Sequence, residues 1–159
     1  MEDKIEHYIQ EITNTVTIAG LNYDVWWLFK ERESRQKYTT TMNKYLMFFT
    51  TAIHAHFVAL IIALYRLYEN KDNTINIPQL LQLIEEHHPF SAKNETEINE
   101  IYNKAKPLWV KVAILRNCAF AHRANKLSVS DVFKKANVTP DELRDLWEIT
   151  KQLINKITY

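Results

Sequence analysis

Apolar residues recur every three to four positions along most of the chain, the spacing that places them on one face of an α-helix. Near the N-terminus this pattern predicts a helix over residues 2–18 and a second helical piece from Leu21 to about Glu33, with Gly20 ending or kinking the first. The polar run from Lys30 to Thr41 predicts a connection into a long apolar helix that ends near Glu69. The N-terminal part is therefore predicted to be helical apart from this connection.

Helix-start signals divide the middle of the chain. Asn76 and Pro78 are typical of a cap and of the first turn of a helix, and Ser91 marks the next break. A long segment then runs over about residues 94–124. Because proline has no amide hydrogen, Pro107 should kink this segment or start a new helix within it.

Two further helix starts lie nearer the C-terminus. Ser128, with Asp131 three residues later, resembles a capping box that opens a short helix to about Ala136. Thr139-Pro140-Asp141-Glu142 combines a cap, a proline at the first helical position and acids in the first turn. The pattern predicts one domain over residues 1–159, an all-α bundle of about six helices with a core of four to five.

Composition favours the same fold class. The 159 residues are 47% hydrophobic and 25% charged, which is ordinary for a globular protein. They include one glycine and four prolines. A fold of many strands needs a turn about every 8–12 residues, so this shortage of turn formers predicts helices.

One segment is apolar and long enough to raise the question of whether it spans a membrane. Leu46 to Leu64 is a run of 19 residues without Asp, Glu, Lys or Arg, long enough to span a membrane. It carries His54 and His56 near its middle, and Lys44 and Arg66 flank it. We expect a bundle helix buried on most sides and no membrane partner; a membrane-associated protein is the alternative.

Cysteine and histidine spacing predicts no metal site, and no cofactor is expected. Cys118 is the only cysteine, so no internal disulfide can form, and the N-terminus lacks a signal-peptide pattern. A cytoplasmic location is therefore expected. His54 and His56 lack the four-residue spacing of a helical zinc site. Cys118 is interpreted as core filling, with a thiol nucleophile as the lesser alternative.

The candidate chemistry lies in the run Arg116-Asn117-Cys118-Ala119-Phe120-Ala121-His122-Arg123. An arginine suits phosphate, and a histidine moves protons near neutral pH. Together they indicate chemistry on a phosphodiester, most simply RNA cleavage. On an ideal helix, residues six apart differ by about 120° around the axis and about 9 Å along it. Arg116 and His122 would therefore converge through a loosened helix near Ala121 or through a two-fold dimer.

Charge is concentrated around this run. Eight basic residues and one acid lie between Lys104 and Lys135, a net charge of +7 in a chain whose total is +1. A polyanion would bind such a region. Within it Arg123, Lys126 and Lys111 are the predicted RNA contacts, although solvated basic helix faces would give the same count.

The run Leu115-Arg116-Asn117-x-x-x-Ala121-His122-Arg123 resembles the signature of HEPN domains, which are all-helical bundles found in bacterial toxins and defence proteins. It is closest to the HEPN-like group of abortive phage infection. Residues 63–69 and 77–81 are similar to that group's central region, and Leu127-Ser128 and the 139–143 segment also agree. The resemblance covers about residues 20–157.

The resemblance implies a metal-independent ribonuclease that acts as a homodimer, with RNA as substrate and an antitoxin or defence protein as a further partner. The catalytic residues carried over are His122, Arg116 and Asn117. Group members often have an acid two residues after the histidine, where this chain has Ala124; other HEPN toxins have a tyrosine there. The alternative is a catalytically silent helical module that binds a protein or a nucleotide.

Overall fold

The computed structural model describes residues 2–71, 73–87, 89–121 and 129–158. Across these ranges the chain forms seven α-helices and one π-helical turn, without a strand, so the all-α prediction is confirmed. The helices are α1 (Glu2–Lys30), α2 (Arg32–Lys44), α3 (Leu46–Tyr68), α4 (Ile77–His87), α5 (Ala92–Leu115), α6 (Val129–Ala136) and α7 (Pro140–Thr158). The π turn (Arg116–Ala121) continues α5 directly.

The core lies between α1, α3, α5 and α7. The most extensive contacts join α1 to α3 and α5 to α7, and α1 also packs on α7. The largest side chains that are almost fully buried come mainly from these helices and from α4: Ile12, Leu60, Ile61, Leu64, Leu67, Ile77, Leu80, Ile98, Leu115, Leu143, Leu146 and Leu153. Burial of such side chains stabilises the bundle by about 1.5–3 kcal/mol each.

Gly20 neither ends nor separates a helix. The α1 helix is continuous from Glu2 to Lys30, so the predicted break is wrong. The glycine instead admits the ring of Trp147 from α7, because a Cβ at position 20 would lie 2.5 Å from the Cζ2 atom of Trp147. The Nε1–H of Trp147 then donates a hydrogen bond to the carbonyl of Val16, 3.0 Å away. The absence of a side chain at Gly20 therefore allows α1 and α7 to pack closely together.

The predicted connection over Lys30–Thr41 is also wrong, because most of it is the helix α2. Its start is capped by Glu31, whose carboxylate accepts hydrogen bonds from the amides of Glu33 at 3.0 Å and Ser34 at 2.8 Å. These bonds from Ser34 and Glu33 lower the pKa of Glu31. Met42 is the buried residue of α2. A helix that buries so little has almost no apolar periodicity to detect.

Three predicted helix starts are confirmed. The side chain of Asn76 accepts from the amide of Gln79 at 2.9 Å, and Ser91 accepts from the amide of Asn94 at 3.4 Å. Thr139 and Glu142 form a reciprocal capping box: the Glu142 amide donates to Thr139 Oγ1 and the Thr139 amide donates to Glu142 Oε2. The α6 helix begins directly after residue 128, and the predicted cap Ser128 lies outside the described residues.

The α5 helix passes through Pro107 without a new helix starting there. Pro107 is exposed, so its ring faces solvent. Ala105 and Val112, both fully buried, hold the helix against the core on either side of it. The α5 helix therefore extends to Leu115 as one element, and the next residue, Arg116, begins the π turn.

The α3 helix has two different halves. Residues from Phe57 to Tyr68 supply seven buried side chains to the core. By contrast, Leu46, Met47 and Phe48 are 59%, 78% and 67% exposed. By length and composition this helix is apolar enough to cross a membrane. Burial on most sides therefore holds for the second half of α3 and not for its first turns.

Candidate functional site

The site begins where α5 changes from α-helical to π-helical winding at Arg116. The residue before it, Leu115, is fully buried and anchors the end of α5 in the core. A π-helical turn is rare and is frequently found at functional sites. The change of winding falls within the run that the sequence singles out.

Arg116 is held by an aromatic pair. Its guanidinium carbon lies 4.6 Å from the centre of the Tyr65 ring on α3. The Tyr65 ring stacks on Trp109 of α5, with ring centres 6.0 Å apart and planes 26° apart. The Nε1–H of Trp109 donates to the carbonyl of Tyr65 at 3.0 Å, which fixes the indole. We call Arg116, Asn117, Tyr65 and Trp109 the Arg116 cluster.

Asn117 is the member of this cluster that is exposed to solvent. Arg116 Nη1 donates a hydrogen bond to Asn117 Oδ1, 2.9 Å away. Arg116 is half-buried and Asn117 is exposed. An arginine has five N–H donors and an asparagine amide has two, so donors remain for a ligand. Two of the three predicted catalytic residues therefore lie side by side with spare donors.

No carboxylate neutralises Arg116 in the part of the chain that the structure describes. Arg116 therefore forms no structural ion pair with an acid on a neighbouring helix among those residues. The aromatic ring leaves the positive charge intact, because a cation–π contact involves the ring quadrupole and not a counter-charge. The guanidinium is thus both oriented and available to an anion.

The third predicted catalytic residue, His122, lies outside the described residues, as do Arg123 and Lys126. The convergence of Arg116 with His122 remains a prediction. Lys111, the remaining predicted RNA contact, is half-buried and forms an ion pair with Glu142 at the start of α7. The hydrogen bond from Lys111, followed by the one from the Thr139 amide, lowers the pKa of Glu142. Lys111 is therefore engaged within the fold.

Other basic residues of the region face solvent. Lys104, Lys106, Lys134 and Lys135 are exposed. Lys106 lies over the ring of Tyr102, 4.9 Å from its centre, one turn from Trp109 on the same helix. This part of α5 thus combines cations with aromatic rings, as surfaces that bind single-stranded nucleic acid do.

Cys118 and His56 fit structural roles. Cys118 is partly buried and packs on the core, in agreement with core filling. His56 Nδ1 lies 2.8 Å from Asn22 Oδ1, which links α3 to α1. Among the described residues no group of three or more histidine, cysteine, aspartate and glutamate side chains is arranged to hold a metal ion.

No sequence pattern indicated the role of Tyr65. It lies 51 positions before Arg116, and aromatic residues at such positions are usually core. Only its place in the segment shared with the HEPN-like group, residues 63–69, set it apart. A contact between two helices that are distant in sequence has no local pattern, which explains why the aromatic support of Arg116 was missed.

Comparison with known families covers almost the whole chain. The model of the HEPN family described as AbiU2 matches residues 2–159. No curated protein and no solved structure matches the chain. The family match covers all seven helices, the π turn and the Arg116 cluster.

Proposed function

The chain belongs to the AbiU2 family of HEPN domains, an abortive-infection family, and on this premise we propose that it is a metal-independent endoribonuclease. We place it in a phage-defence or toxin–antitoxin system in the cytoplasm, where an antitoxin or a defence protein would control it. The catalytic residues are Arg116, Asn117 and His122.

One observation carries the proposal. The guanidinium of Arg116 lies over the ring of Tyr65, donates a hydrogen bond to Asn117, and has no acidic partner among the described residues. An arginine that is oriented before substrate arrives loses little side-chain freedom on binding phosphate. Donors that are fixed in advance also stabilise charge in a transition state better than mobile ones. The cluster is therefore suited to a phosphodiester.

The proposed reaction uses the RNA's own nucleophile. The 2′-oxygen attacks the adjacent phosphorus, the bond from phosphorus to the 5′-oxygen breaks, and the products carry a 2′,3′-cyclic phosphate and a 5′-hydroxyl. His122 takes the proton from the 2′-hydroxyl or gives one to the leaving oxygen. Arg116 stabilises the charge on the phosphoryl oxygens, and Asn117 orients the phosphate through its amide.

A homodimer would supply the second proton carrier. The attacking oxygen loses a proton while the leaving oxygen gains one, so the two steps use a base and an acid. Two-fold symmetry brings the same surface of each protomer to one interface, so two copies of His122 can serve one cleft. Arg123, Lys126 and the exposed lysines of α5 would line the path of the RNA.

The decisive experiment is cleavage of end-labelled RNA by the purified protein in EDTA. We expect cleavage that leaves cyclic phosphate ends and that His122→Ala reduces by at least about 100-fold. His7→Ala, a change of an exposed histidine on α1, is the matched control and should keep full activity. Equal cleavage by wild type and His122→Ala would overturn the proposal and favour a silent binding module.

A further inference from the structure

A second feature of the fold lies apart from the Arg116 cluster. A cavity of about 630 Å³ opens between the end of α1, the helix α2, the first half of α3 and the start of α7. Binding sites for small molecules have volumes of about 300–1,000 Å³, whereas packing defects inside domains are far smaller. The volume is therefore that of a ligand site.

The wall of this cavity is mainly apolar and aromatic. Trp26 and Phe29 of α1 face Phe57 and Phe49 of α3, with ring centres 5.0 Å apart in the first pair and 5.2 Å in the second. Such ring pairs stabilise each other beyond the area they bury, by about 0.5–1.5 kcal/mol. They hold together α1 and α3, two of the four helices that form the cavity, so this part of its shape is built into the bundle.

Two cations lie at the cavity. Lys30 ends α1 and Arg35 belongs to the first turns of α2, and both line the cavity and are exposed. Neither side chain forms an ion pair or a hydrogen bond within the described part of the chain, and no described lining residue is an aspartate or glutamate. The cavity thus joins an apolar interior to an uncompensated positive charge.

The apolar surface continues outward from the cavity. Leu46 lines it, and the next two residues, Met47 and Phe48, are the most exposed of the large apolar side chains whose burial the structure describes. The ring of Phe48 lies 5.2 Å from that of Phe49, a lining residue, so exposed apolar groups adjoin the cavity, and larger apolar patches of this kind mark binding regions. An extended apolar ligand would therefore remain in contact with protein where it leaves the cavity.

We propose that this cavity binds an amphipathic anion, such as a long-chain carboxylate or phosphate monoester. The acyl chain lies between the aromatic rings of α1 and α3, and the anionic group lies at Lys30 and Arg35. The lining residue of α3 nearest to Tyr65 in the sequence is Phe57, eight residues earlier, about 12 Å away at the rise of an α-helix. The cavity is separate from the Arg116 cluster, and this proposal does not rest on the proposed ribonuclease activity.

The test uses dansylundecanoate as a fluorescent probe on the full chain. We expect a saturable increase in fluorescence that decanoate reverses and that 1-decanol, which has the same chain length without the charge, reverses less well. Changing Lys30→Gln and Arg35→Gln together should weaken decanoate binding by about tenfold and leave that of 1-decanol unchanged. Arg32→Gln with Lys37→Gln removes two nearby exposed charges outside the lining and is the control.

A second pair of variants tests the interior. Thr50 and Thr51 are both exposed on α3, but only Thr50 lines the cavity. Thr50→Trp should abolish probe binding, and Thr51→Trp should keep it, with unchanged circular dichroism for both. Non-saturable binding, or equal binding by the Thr50→Trp variant, would overturn the proposal. Binding to anionic vesicles without binding of free decanoate would assign this surface to a membrane and would overturn it as well.

Discussion

The guanidinium carbon of Arg116 lies 4.6 Å above the ring of Tyr65, which is 51 positions earlier in the chain. If this contact orients the arginine for phosphate, then Tyr65→Leu should lower the rate of RNA cleavage at saturating RNA by about 3- to 30-fold, the range of a cation–π contact. Tyr65→Phe keeps the ring and should retain most of the rate. Thermal unfolding of both variants shows whether the bundle is intact. Equal cleavage rates for Tyr65→Leu and Tyr65→Phe would show that the aromatic ring does not contribute to cleavage.

A shared cleft predicts how mixed dimers behave. When wild type and His122→Ala chains are co-refolded in equal amounts, RNA cleavage should fall to about one quarter if both histidines of a dimer are needed. A fall to about one half would show that each protomer carries a complete site. Mixtures with His7→Ala chains should keep the full rate, and size-exclusion chromatography of every mixture reports the dimer.

Gly20 should tolerate no side chain. Alanine favours a helix over glycine by about 1 kcal/mol, so Gly20→Ala would stabilise an ordinary helical position. Here the added Cβ would lie 2.5 Å from the Trp147 ring, and we expect a net loss of about 1–3 kcal/mol in the free energy of unfolding. Urea denaturation measures it. Thr13→Ala, at an exposed position of the same helix, should change stability by less than about 0.5 kcal/mol.

Two helix caps should differ in strength because one is buried. Asn76 is fully buried; its amide donates to the carbonyls of Lys71 and Thr74 and its oxygen accepts from the Gln79 amide. We expect Asn76→Ala to lower the free energy of unfolding by about 2–3 kcal/mol, since it removes three hydrogen bonds of a buried side chain and leaves part-buried groups unpaired. Ser91→Ala removes an exposed cap with a longer bond and should lower it by about 0.5–1 kcal/mol. Similar losses would contradict the difference in burial.

The ion pair between Lys111 and Glu142 predicts a dependence of stability on pH. Its lowered pKa means that Glu142 releases a proton more readily in the folded chain than in the unfolded one. The stabilisation is therefore present above pH 4.5, the ordinary value, and is lost as the pH falls through the lowered pKa. Glu142→Gln can still form the capping box, so it should destabilise the protein by about 1 kcal/mol or less at pH 7 and by nothing near pH 2.

Melting temperatures from pH 2 to pH 7 measure this effect. Glu148→Gln, which removes the partner of Lys151 on α7, is the control and should show a smaller change. Because Glu142→Gln also frees Lys111, RNA should bind the variant more tightly at low salt if Lys111 contacts RNA. Parallel curves for wild type and Glu142→Gln across this pH range would contradict the role given to the pair.

The features that could be predicted from the sequence are those with local causes. The starts of α4, α5 and α7 depend on caps at Asn76, Ser91 and Thr139, each of which bonds an amide three residues away. The α2 helix was missed because its cap is an uncommon one, Glu31, and because it buries little. The role of Gly20 depends on Trp147 and that of Tyr65 on Arg116. Both partners are distant in the sequence, so no local pattern predicts either contact.

In the π turn that begins at Arg116, the spacing of residues in the sequence does not give the same angular positions as in an α-helix. A motif counts residues, whereas a catalytic group is placed by its angle around the helix axis, and the two agree only while the winding is constant. From Arg116 to Ala121 each hydrogen-bonded turn holds one residue more than in α5, so successive side chains are separated by a smaller angle around the axis than in α5. The same number of residues therefore separates two side chains by one angle within α5 and by another within the turn.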